Sequence, residues 1–257
     1  MLGDIVGKVG RDAALTMLPT LQETYEPDFI IVNGENAAAG RGITQEIARA
    51  MFGAGVDAIT LGNHAFGRHD IGGYLDAEPR VLRPANYPEG TAGHGFGIFP
   101  ARDGTRVGVA NIMGRTFMEP LSDPFRGCDQ ILSCFEGRAS VSFIDFHAEA
   151  TSEKIALGYY LDGRASVVVG THTHVQTADE RILPQGTAYI TDVGMVGPQD
   201  SIIGMETEAV VEKFLTLMPR KFQVAEGLVT LCGIVTDVDP ESGLATHIER
   251  IQIRDIQ

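Results

Sequence analysis

The chain has 257 residues, of which 44% are hydrophobic and 21% charged, and its formal net charge is −14. A chain of this length and composition can bury a substantial globular core, and no apolar run approaches the roughly 18 residues of a membrane helix. The negative charge disfavours a surface that binds long nucleic acid through its phosphates, but it leaves room for a small phosphorylated substrate at a locally positive site.

The N-terminus and the cysteines favour a cytoplasmic location. The first ten residues, MLGDIVGKVG, lack the positively charged and then apolar segments of a secretory signal. The three cysteines contain no CxxC pair, and their odd number argues against a disulfide framework. We therefore expect reduced cysteines and a cytoplasmic protein with no membrane partner.

Continuous apolar runs predict a series of buried strands. The first is short, because only Met1 and Leu2 precede Gly3-Asp4 whereas a strand usually has about five or six residues, and this favours the hypothesis that a few native residues precede Met1. Hydrophobicity that is continuous rather than alternating indicates strands covered on both faces, with helices on each side of a sheet. The clearest further runs lie at residues 29–36, 58–64, 107–114, 140–147, 166–174 and 188–194.

Helical segments alternate with these strands. Residues 76–97, rich in proline and glycine, are interpreted as a structured excursion, and the segment from Gly227 to the end as a closing β-hairpin. Because there is no internal repeat, linker or low-complexity tract, we predict one α/β domain over residues 1–257. Helices are predicted near residues 12–24, 44–54, 152–162 and 206–217.

Polar side chains follow the predicted strands at the points where the strands end. In α/β sheets, binding residues gather at this carboxyl edge. A glycine precedes most of these side chains, and we expect each glycine to let the backbone turn sharply so that the next side chain points into the crevice. The polar residues are Asp4, Glu35, Asn36, Asn63, His64, His147, His172 and His174.

This set has the chemistry of a metal site. Carboxylates, amide oxygens and imidazoles, with no thiolate, suit manganese, iron, zinc, cobalt or nickel. His172 and His174 lie two residues apart and would project to the same side of an extended backbone, so both rings could reach one cluster. Apart from His64, the set offers seven donors, more than one four-coordinate ion needs, which favours two adjacent metals.

Each motif has a simpler explanation when it is taken alone. Asp4 could cap a turn or a helix, the tripeptides GEN and GNH are common in loops, and His147 could equally be a core histidine. All five motifs in this order favour a metal site. The remaining histidines lack such a setting and are interpreted as surface or outer residues: His69, His94 and His247.

The order of the motifs, GD, GEN, GNH, H and GTHTH, resembles the signature of the calcineurin-like metallophosphoesterases, DxH…GD…GNH[DE]…H…GHxH. Val6 replaces the first histidine of that signature, Glu35 replaces the second aspartate, and Ala65 follows GNH in place of an acid. These departures are similar to those of the YmdB-like bacterial phosphodiesterases. Three longer stretches indicate the same branch: DFHAEATSEK (145–154), GTHTHVQTAD (170–179) and GPQDSIIG (197–204).

The resemblance implies a fold and a role for each candidate residue. The fold is a sandwich of mixed β-sheets flanked by helices on both sides. Glu35 would bridge two divalent or transition metal ions, iron, manganese or similar, and His64 matches the proton donor. Asn36 would compensate for the histidine that is missing at Val6. The ligands implied for the first ion are Asp4, Asn36 and His174, and those for the second are Asn63, His147 and His172.

The activity that the resemblance implies is hydrolysis of cyclic nucleotides, notably 2′,3′-cyclic AMP, by a homo-oligomer, either a dimer or a tetramer. A metal-bridging hydroxide would attack phosphorus while protonated His64 donates to the departing ribose oxygen. Two divalent ions and two carboxylates leave a net charge of about +2, which would attract a phosphodiester into an acidic protein.

Two alternatives stay open at this point. One is a phosphomonoesterase or 5′-nucleotidase on the same metal site, and the other is a non-catalytic, metal-dependent regulatory module. Arg115 and Asn86 lie on loops between strands, where they could contact substrate or serve structural hydrogen bonding, and neither is assigned.

Overall fold

The computed structural model describes residues 1–257 and contains thirteen strands and six helices. In chain order the strands are β1 (Leu2–Ile5), β2 (Ile31–Asn33), β3 (Ala58–Thr60), β4 (Val81–Leu82), β5 (Phe96–Pro100), β6 (Arg106–Met113), β7 (Val141–His147), β8 (Val167–Thr171), β9 (Arg181–Ile182), β10 (Ala188–Ile190), β11 (Met195–Pro198), β12 (Val229–Val238) and β13 (Ala245–Ile256). The helices are α1 (Gly7–Tyr25), α2 (Gln45–Gly53), α3 (Ile71–Ala77), α4 (Pro124–Phe135), α5 (Thr151–Leu161) and α6 (Thr207–Thr216).

The strands form two mixed sheets, each with a run of parallel strands and antiparallel pairs beside it. The first sheet has the order β13-β12-β11-β1-β2-β3-β4 and is parallel from β11 to β4. The second has the order β5-β6-β7-β8-β10-β9 and is parallel from β6 to β10. The predicted terminal hairpin is the antiparallel pair of β12 and β13.

The two sheets pack face to face, and helices cover both outer faces. Successive residues of a strand point to opposite faces. Ile31 of β2 therefore lies in the core between the sheets, whereas Val32 belongs to the outer core formed with α1, α2 and α3. In the second sheet Val167 lies in the inner core and Val168 in the outer core with α4 and α5. The predicted α/β sandwich of mixed sheets flanked by helices is confirmed, and burial of both faces explains the continuous apolar runs.

Four of the six helices coincide with predicted segments. Helix α1 begins at Gly7, before the predicted start, and α2, α5 and α6 match closely. Helix α3 was not predicted, since its two consecutive glycines lower helix propensity. Helix α4 was also missed, although Asp123 and Pro124 form a readable start: the Asp123 carboxylate accepts from the backbone N–H of Phe125 at 2.9 Å. None of the six helices combines the length and the apolar character needed to cross a lipid bilayer.

Candidate metal centre

All eight predicted site residues lie at the edge where the parallel strands of the two sheets end. Asp4 belongs to β1, His147 is the last residue of β7, and the others follow β2, β3 and β8. Because both sheets end their parallel strands here, residues far apart in the chain become neighbours. The backbone N–H of His172, for example, donates to Oδ2 of Asp4 at 3.2 Å. The prediction that these side chains share one crevice therefore has a direct topological basis.

Glu35 lies at the centre of the group, almost fully buried. Its Oε2 accepts the backbone N–H of His64 at 3.0 Å and lies 3.4 Å from Nε2 of His147. Its Oε1 accepts from Nδ2 of Asn36 at 3.0 Å and lies 3.4 Å from Nδ1 of His64. One carboxylate thus faces residues of both implied ligand sets.

One ligand group surrounds His147. The ligand atoms of Glu35, His147 and His172 all lie within 4.8 Å of one another. Oδ1 of Asn63 lies 2.8 Å from Nε2 of His147. These four residues are the ones that the resemblance assigns to the second ion.

The hydrogen bonds behind His147 show what this group lacks. Thr171 donates its hydroxyl proton to Asp145 at 2.7 Å, so its oxygen accepts from Nδ1–H of His147 at 3.0 Å. A neutral His147 then presents a lone pair at Nε2, opposite two further acceptors on Asn63 and Glu35. Three hydrogen-bond acceptors that share no proton repel one another, whereas a bound cation would be attracted to the lone pairs of all three.

In the metal-free protein a proton takes that place. Burial alone would lower the pKa of His147, but the nearby charges of Glu35, Asp4 and Asp145 raise it to about 9. Burial would raise the pKa of Glu35, yet His147 and His64 hold it well below its usual range. Glu35 and His147 therefore form a buried ion pair at neutral pH.

The other ligand group surrounds Asp4 and contains the residues that the resemblance assigns to the first ion. Its Oδ1 is buried without a hydrogen-bond partner and lies 3.6 Å from Nε2 of His174. Nδ1 of His174 donates to the carbonyl of Ile203 at 2.8 Å, which leaves Nε2 with its lone pair in the neutral ring. Burial, followed by the charges of Glu35 and Asp192, raises the pKa of Asp4 to about 6, although His174 and His147 act to lower it. An orphaned carboxylate oxygen beside an imidazole lone pair also fits a cation.

Asn36 connects the ligand group around Asp4 with His64. Its Nδ2 lies 3.1 Å from Nε2 of His174, and its Oδ1 lies 2.7 Å from Nδ1 of His64. In this orientation the amide presents nitrogen to the group around Asp4. Metal ligation through oxygen would require the amide to turn over.

His172 and His174 converge for a reason that differs from the predicted one. Strand β8 ends at Thr171, and the two histidines have φ of 96° and 64°, so the expectation of an extended backbone was wrong. The left-handed turns direct His174 towards Asp4 and His172 towards His147, with ring centroids of the latter pair 4.7 Å apart. Nε2 of His172 also lies 3.0 Å from a carboxylate oxygen of half-exposed Glu149, a contact that the motif reading missed.

The glycines at the strand ends also act differently from expectation. Gly62 and Gly170 have no positive φ, so a sharp turn does not explain them. A Cβ on Gly62 would lie 2.3 Å from Nε2 of His147 and 2.4 Å from Oε2 of Glu35. A Cβ on Gly170 would lie 1.8 Å from the carbonyl oxygen of Thr191. Close approach to the site and to the adjoining chain is what requires glycine here.

A buried ion pair orients the loop that carries the two histidines. Lys154 of α5 and Asp192, both buried, lie 2.7 Å apart. The same Asp192 oxygen accepts from the backbone N–H and the hydroxyl of Thr173, at 3.1 and 2.6 Å. Thr173 is thereby held away from the ligands on either side of it. Sequence reasoning missed this network because Lys154 and Asp192 are 38 positions apart and meet only in the folded chain.

The other polar residues considered from the sequence lie outside this group. Asn86 donates to the carbonyls of Met113 and Ser122 and accepts from the Met113 N–H, which supports its structural interpretation. Arg115 forms an ion pair with Asp123. The three remaining histidines are exposed, as expected. His69 contacts Asp70, His94 contacts the carbonyl of Asp76, and His247 contacts Glu249.

A separate apolar cavity of about 250 Å³ lies between the sheets at their opposite edge. Its lining includes Ile30, Val107 and Phe143, near the amino-terminal ends of β2, β6 and β7, and none of the eight site residues. This cavity therefore contributes no side chain to the candidate site.

Comparison with known proteins agrees with this geometry. The YmdB-like protein family model matches residues 1–251. A Bacillus subtilis protein named 2′,3′-cyclic-nucleotide 2′-phosphodiesterase is 53% identical over 254 residues, which cover 99% of this chain and 96% of the relative.

Two solved structures have nearly the same fold. A hypothetical protein from Thermus thermophilus superposes with a TM-score of 0.92 at 43% identity, covering 99% of this chain and 98% of the other. A phosphatase from Mycoplasma pneumoniae also has a TM-score of 0.92, at 33% identity, covering 99% of this chain and 92% of the other.

Metal binding to the metal-free protein is expected to strengthen as the pH rises. With a pKa of about 9, His147 is protonated at pH 7, and an ion that binds Nε2 has to displace this proton. The apparent association constant for Mn²⁺ should rise by roughly tenfold per pH unit from pH 7 and level off near the pKa of His147. Anaerobic calorimetric titration of chelator-treated protein, in buffers of different ionisation enthalpy, measures both affinity and proton release.

The same pKa determines the sign of the stability effect without metal. The Glu35–His147 ion pair contributes its full stabilisation below the ordinary histidine pKa of about 6.5, and this contribution is lost as the pH rises through about 9.

The control for the Mn²⁺ titration is His94→Ala, at an exposed histidine outside the ligand groups, which should leave the pH profile of metal binding unaltered. A pH-independent affinity between pH 7 and 9 would contradict a ligand role for His147.

Thr173→Val is expected to weaken metal binding more than it weakens the fold. The change keeps the shape of the side chain but removes the hydroxyl bonded to Asp192 and Lys154, which frees the loop between His172 and His174. Loss of an outer partner of this kind typically lowers metal affinity by roughly 10- to 100-fold. Titration with Mn²⁺ and urea unfolding measure the two effects. Thr246→Val, on exposed β13, is the control, and equal affinities for both variants would contradict the positioning role.

Proposed function

The chain belongs to the YmdB-like protein family, and from this membership we propose that it is a metal-dependent phosphodiesterase that hydrolyses 2′,3′-cyclic nucleotides. The observation that carries the proposal is the convergence of eight polar side chains from five strands on one edge, in an arrangement that leaves buried acceptors without donors. The relative from Bacillus subtilis, named for this activity, supports the choice of substrate.

The donor set suits two ions that share Glu35. The ion beside Asp4 would also be held by Asn36 and His174, and the other by Asn63, His147 and His172. Divalent ions such as iron or manganese would supply activation of water and neutralisation of phosphate charge when bound. Since Asp4 and Glu35 are the charged donors of this set, two such ions leave the crevice at about +2 within a protein of net charge −14.

His64 is the proposed proton donor to the departing ribose oxygen. Its backbone N–H is bonded to Glu35, and in the metal-free arrangement its Nδ1 faces the amide oxygen of Asn36, so the ring lies beside the ligand groups. Its side chain is 29% exposed, so the ring borders the open side of the crevice. Nε2 of His64 has no hydrogen-bond partner within the protein, so Nε2–H of the protonated ring is free to donate to the substrate.

The rival activity on the same site is hydrolysis of phosphomonoesters, which the phosphatase from Mycoplasma pneumoniae brings into consideration. Metal ligands alone do not choose between monoester and diester. A non-catalytic regulatory module is disfavoured, because His64 is present and oriented beside the ligand groups.

A substrate panel tests the proposed activity. We expect the Mn²⁺-loaded protein to hydrolyse 2′,3′-cyclic AMP faster than 3′,5′-cyclic AMP and faster than p-nitrophenyl phosphate. His64→Ala should lower kcat on 2′,3′-cyclic AMP by roughly 10²- to 10⁴-fold without changing metal content. His69→Ala, an exposed histidine outside the site, should match the wild type in both respects.

Two results would contradict the proposal in different parts. Faster turnover of the monoester would identify a phosphomonoesterase instead. Undiminished kcat in His64→Ala, with diester activity intact, would remove the proton-donor role alone.

A further inference from the structure

An aromatic pair lies beside the candidate metal centre, and neither ligand group uses it. Phe66 belongs to the turn that also contains Asn63 and His64, and its ring meets the ring of Tyr87 edge to face, with centroids 5.5 Å apart. Phe66 follows β3 and Tyr87 follows β4, and these strands are parallel neighbours in the first sheet. The pair therefore extends the edge at which the ligand groups lie.

Phe66 keeps aromatic surface open to solvent. In an edge-to-face pair each ring covers at most one face of the other, so Tyr87 leaves at least one face of Phe66 uncovered. Phe66 is 38% exposed, whereas Ala65, the residue before it, is fully buried. The turn thus buries its small residue in the core and presents its aromatic residue at the surface.

The loop that carries Tyr87 is held by buried polar side chains. The guanidinium of Arg83 donates to three backbone carbonyls within residues 84–92, at 2.8, 3.1 and 3.2 Å, and lies 6.0 Å from the centroid of the Tyr87 ring. Asn86 joins the same loop to the end of β6 and to the segment after it. Tyr87 therefore supports Phe66 from a fixed position, which lowers the entropic cost of binding a ligand there.

The charges of the site reach Tyr87. Burial, followed by the charges of Glu119 and Glu35, raises the pKa of the Tyr87 hydroxyl, although Arg83 acts to lower it. Glu35 is the carboxylate at the centre of the ligand groups. The aromatic pair and the ligand groups therefore border the same crevice.

The proposed reaction directs the nucleoside towards this side of the crevice. In a 2′,3′-cyclic nucleotide both ester oxygens belong to the ribose, so the oxygen that His64 protonates carries the nucleoside with it. Phe66 lies two positions after His64 in the same turn. A nucleobase is a flat, uncharged group that stacks on aromatic side chains, so the net charge of −14 does not oppose its binding.

We propose that Phe66, supported by Tyr87, is a stacking platform for the nucleobase of the substrate. The inference rests on the proposed function, because it takes His64 as the group that faces the departing ribose oxygen. Stacking is open to every base, since each has a π-face, so the platform selects for the presence of a base rather than for its identity. A nucleotide thereby gains an advantage over a phosphodiester of equal charge that has no base.

A substrate without a base tests the platform. The methyl riboside 2,3-cyclic phosphate has the same reacting ester as 2′,3′-cyclic AMP but no base. With Mn²⁺-loaded protein, Phe66→Leu should raise KM for 2′,3′-cyclic AMP by roughly 5- to 100-fold, because it removes the ring on which the base stacks. The kcat should stay nearly unchanged, since stacking acts equally on the bound substrate and the transition state. Both constants for the base-free ester should match those of the wild type.

Two matched variants are the controls. Phe66→Tyr keeps the ring and should keep KM for 2′,3′-cyclic AMP near the wild-type value. Tyr159→Leu, at an exposed aromatic of α5, should match the wild type on both esters. An unchanged KM in Phe66→Leu, or an equal rise for both esters, would overturn the platform. A fall in kcat on both esters would also overturn it, because Phe66 would then act by positioning His64.

Binding of adenosine separates this inference from the proposed activity. Adenosine carries the base and the ribose but no phosphate, so its binding requires neither metal nor turnover. Saturation-transfer NMR on chelator-treated protein should show contact with the base protons of adenosine in the wild type and its loss in Phe66→Leu. This result with a protein that hydrolyses no cyclic nucleotide would refute the activity and keep the nucleobase site. Equal signals in both proteins, or none in either, would overturn the platform whatever the activity.

Discussion

A cluster of atoms that all act as hydrogen-bond acceptors when His147 is neutral determines what the rest of this structure has to provide. The carboxylate of Glu35, the amide oxygen of Asn63 and Nε2 of a neutral His147 face one another at the end of the sheets. Burying such groups without a compensating positive charge is costly. The metal-free protein meets this cost with a proton on His147, and the proposed enzyme meets it with metal ions. The fold is thus built around a site that requires positive charge.

The residues behind the ligands explain why their lone pairs point inward. Buried Asp145 accepts from the hydroxyl of Thr171 and from the amide of Asn33, and Thr171 in turn fixes the ring of His147. Burial raises the pKa of Asp145, so these hydrogen bonds also help to keep its charge stable. On the other side, Asp192 holds the loop of the two histidines through Thr173. Asp145 and Asp192 therefore orient histidine ligands through a threonine and do not themselves belong to the ligand groups.

The convergence of the candidate ligands on one edge could be predicted because Asp4 lies near the end of the first strand and the others end or follow strands that read as continuous apolar runs. Parallel strands share a carboxyl edge, so strand order along the chain already implied that Asp4, Glu35, Asn63 and His147 would meet. The backbone at His172 and His174 could not be read, since positive φ at a histidine leaves no mark in the sequence. The Lys154–Asp192 pair was missed because its two partners, 38 positions apart, meet only through the packing of α5 on the second sheet.

Val6 shows how one departure from the metallophosphoesterase signature is built into the structure. Its side chain is fully buried, and the backbone of Gly204 lies so close that a Cβ there would be 2.6 Å from Cγ1 of Val6. Gly204 follows Ile203, whose carbonyl accepts from Nδ1 of His174. Where the signature places a metal-binding histidine, this chain therefore packs an apolar side chain against the loop that orients another histidine. A ligand at position 6 would have to leave this packing, so in the proposed arrangement a further donor beside Asp4, Glu35 and His174 would come from elsewhere, and Asn36, whose amide lies beside His174, is the side chain we propose for it.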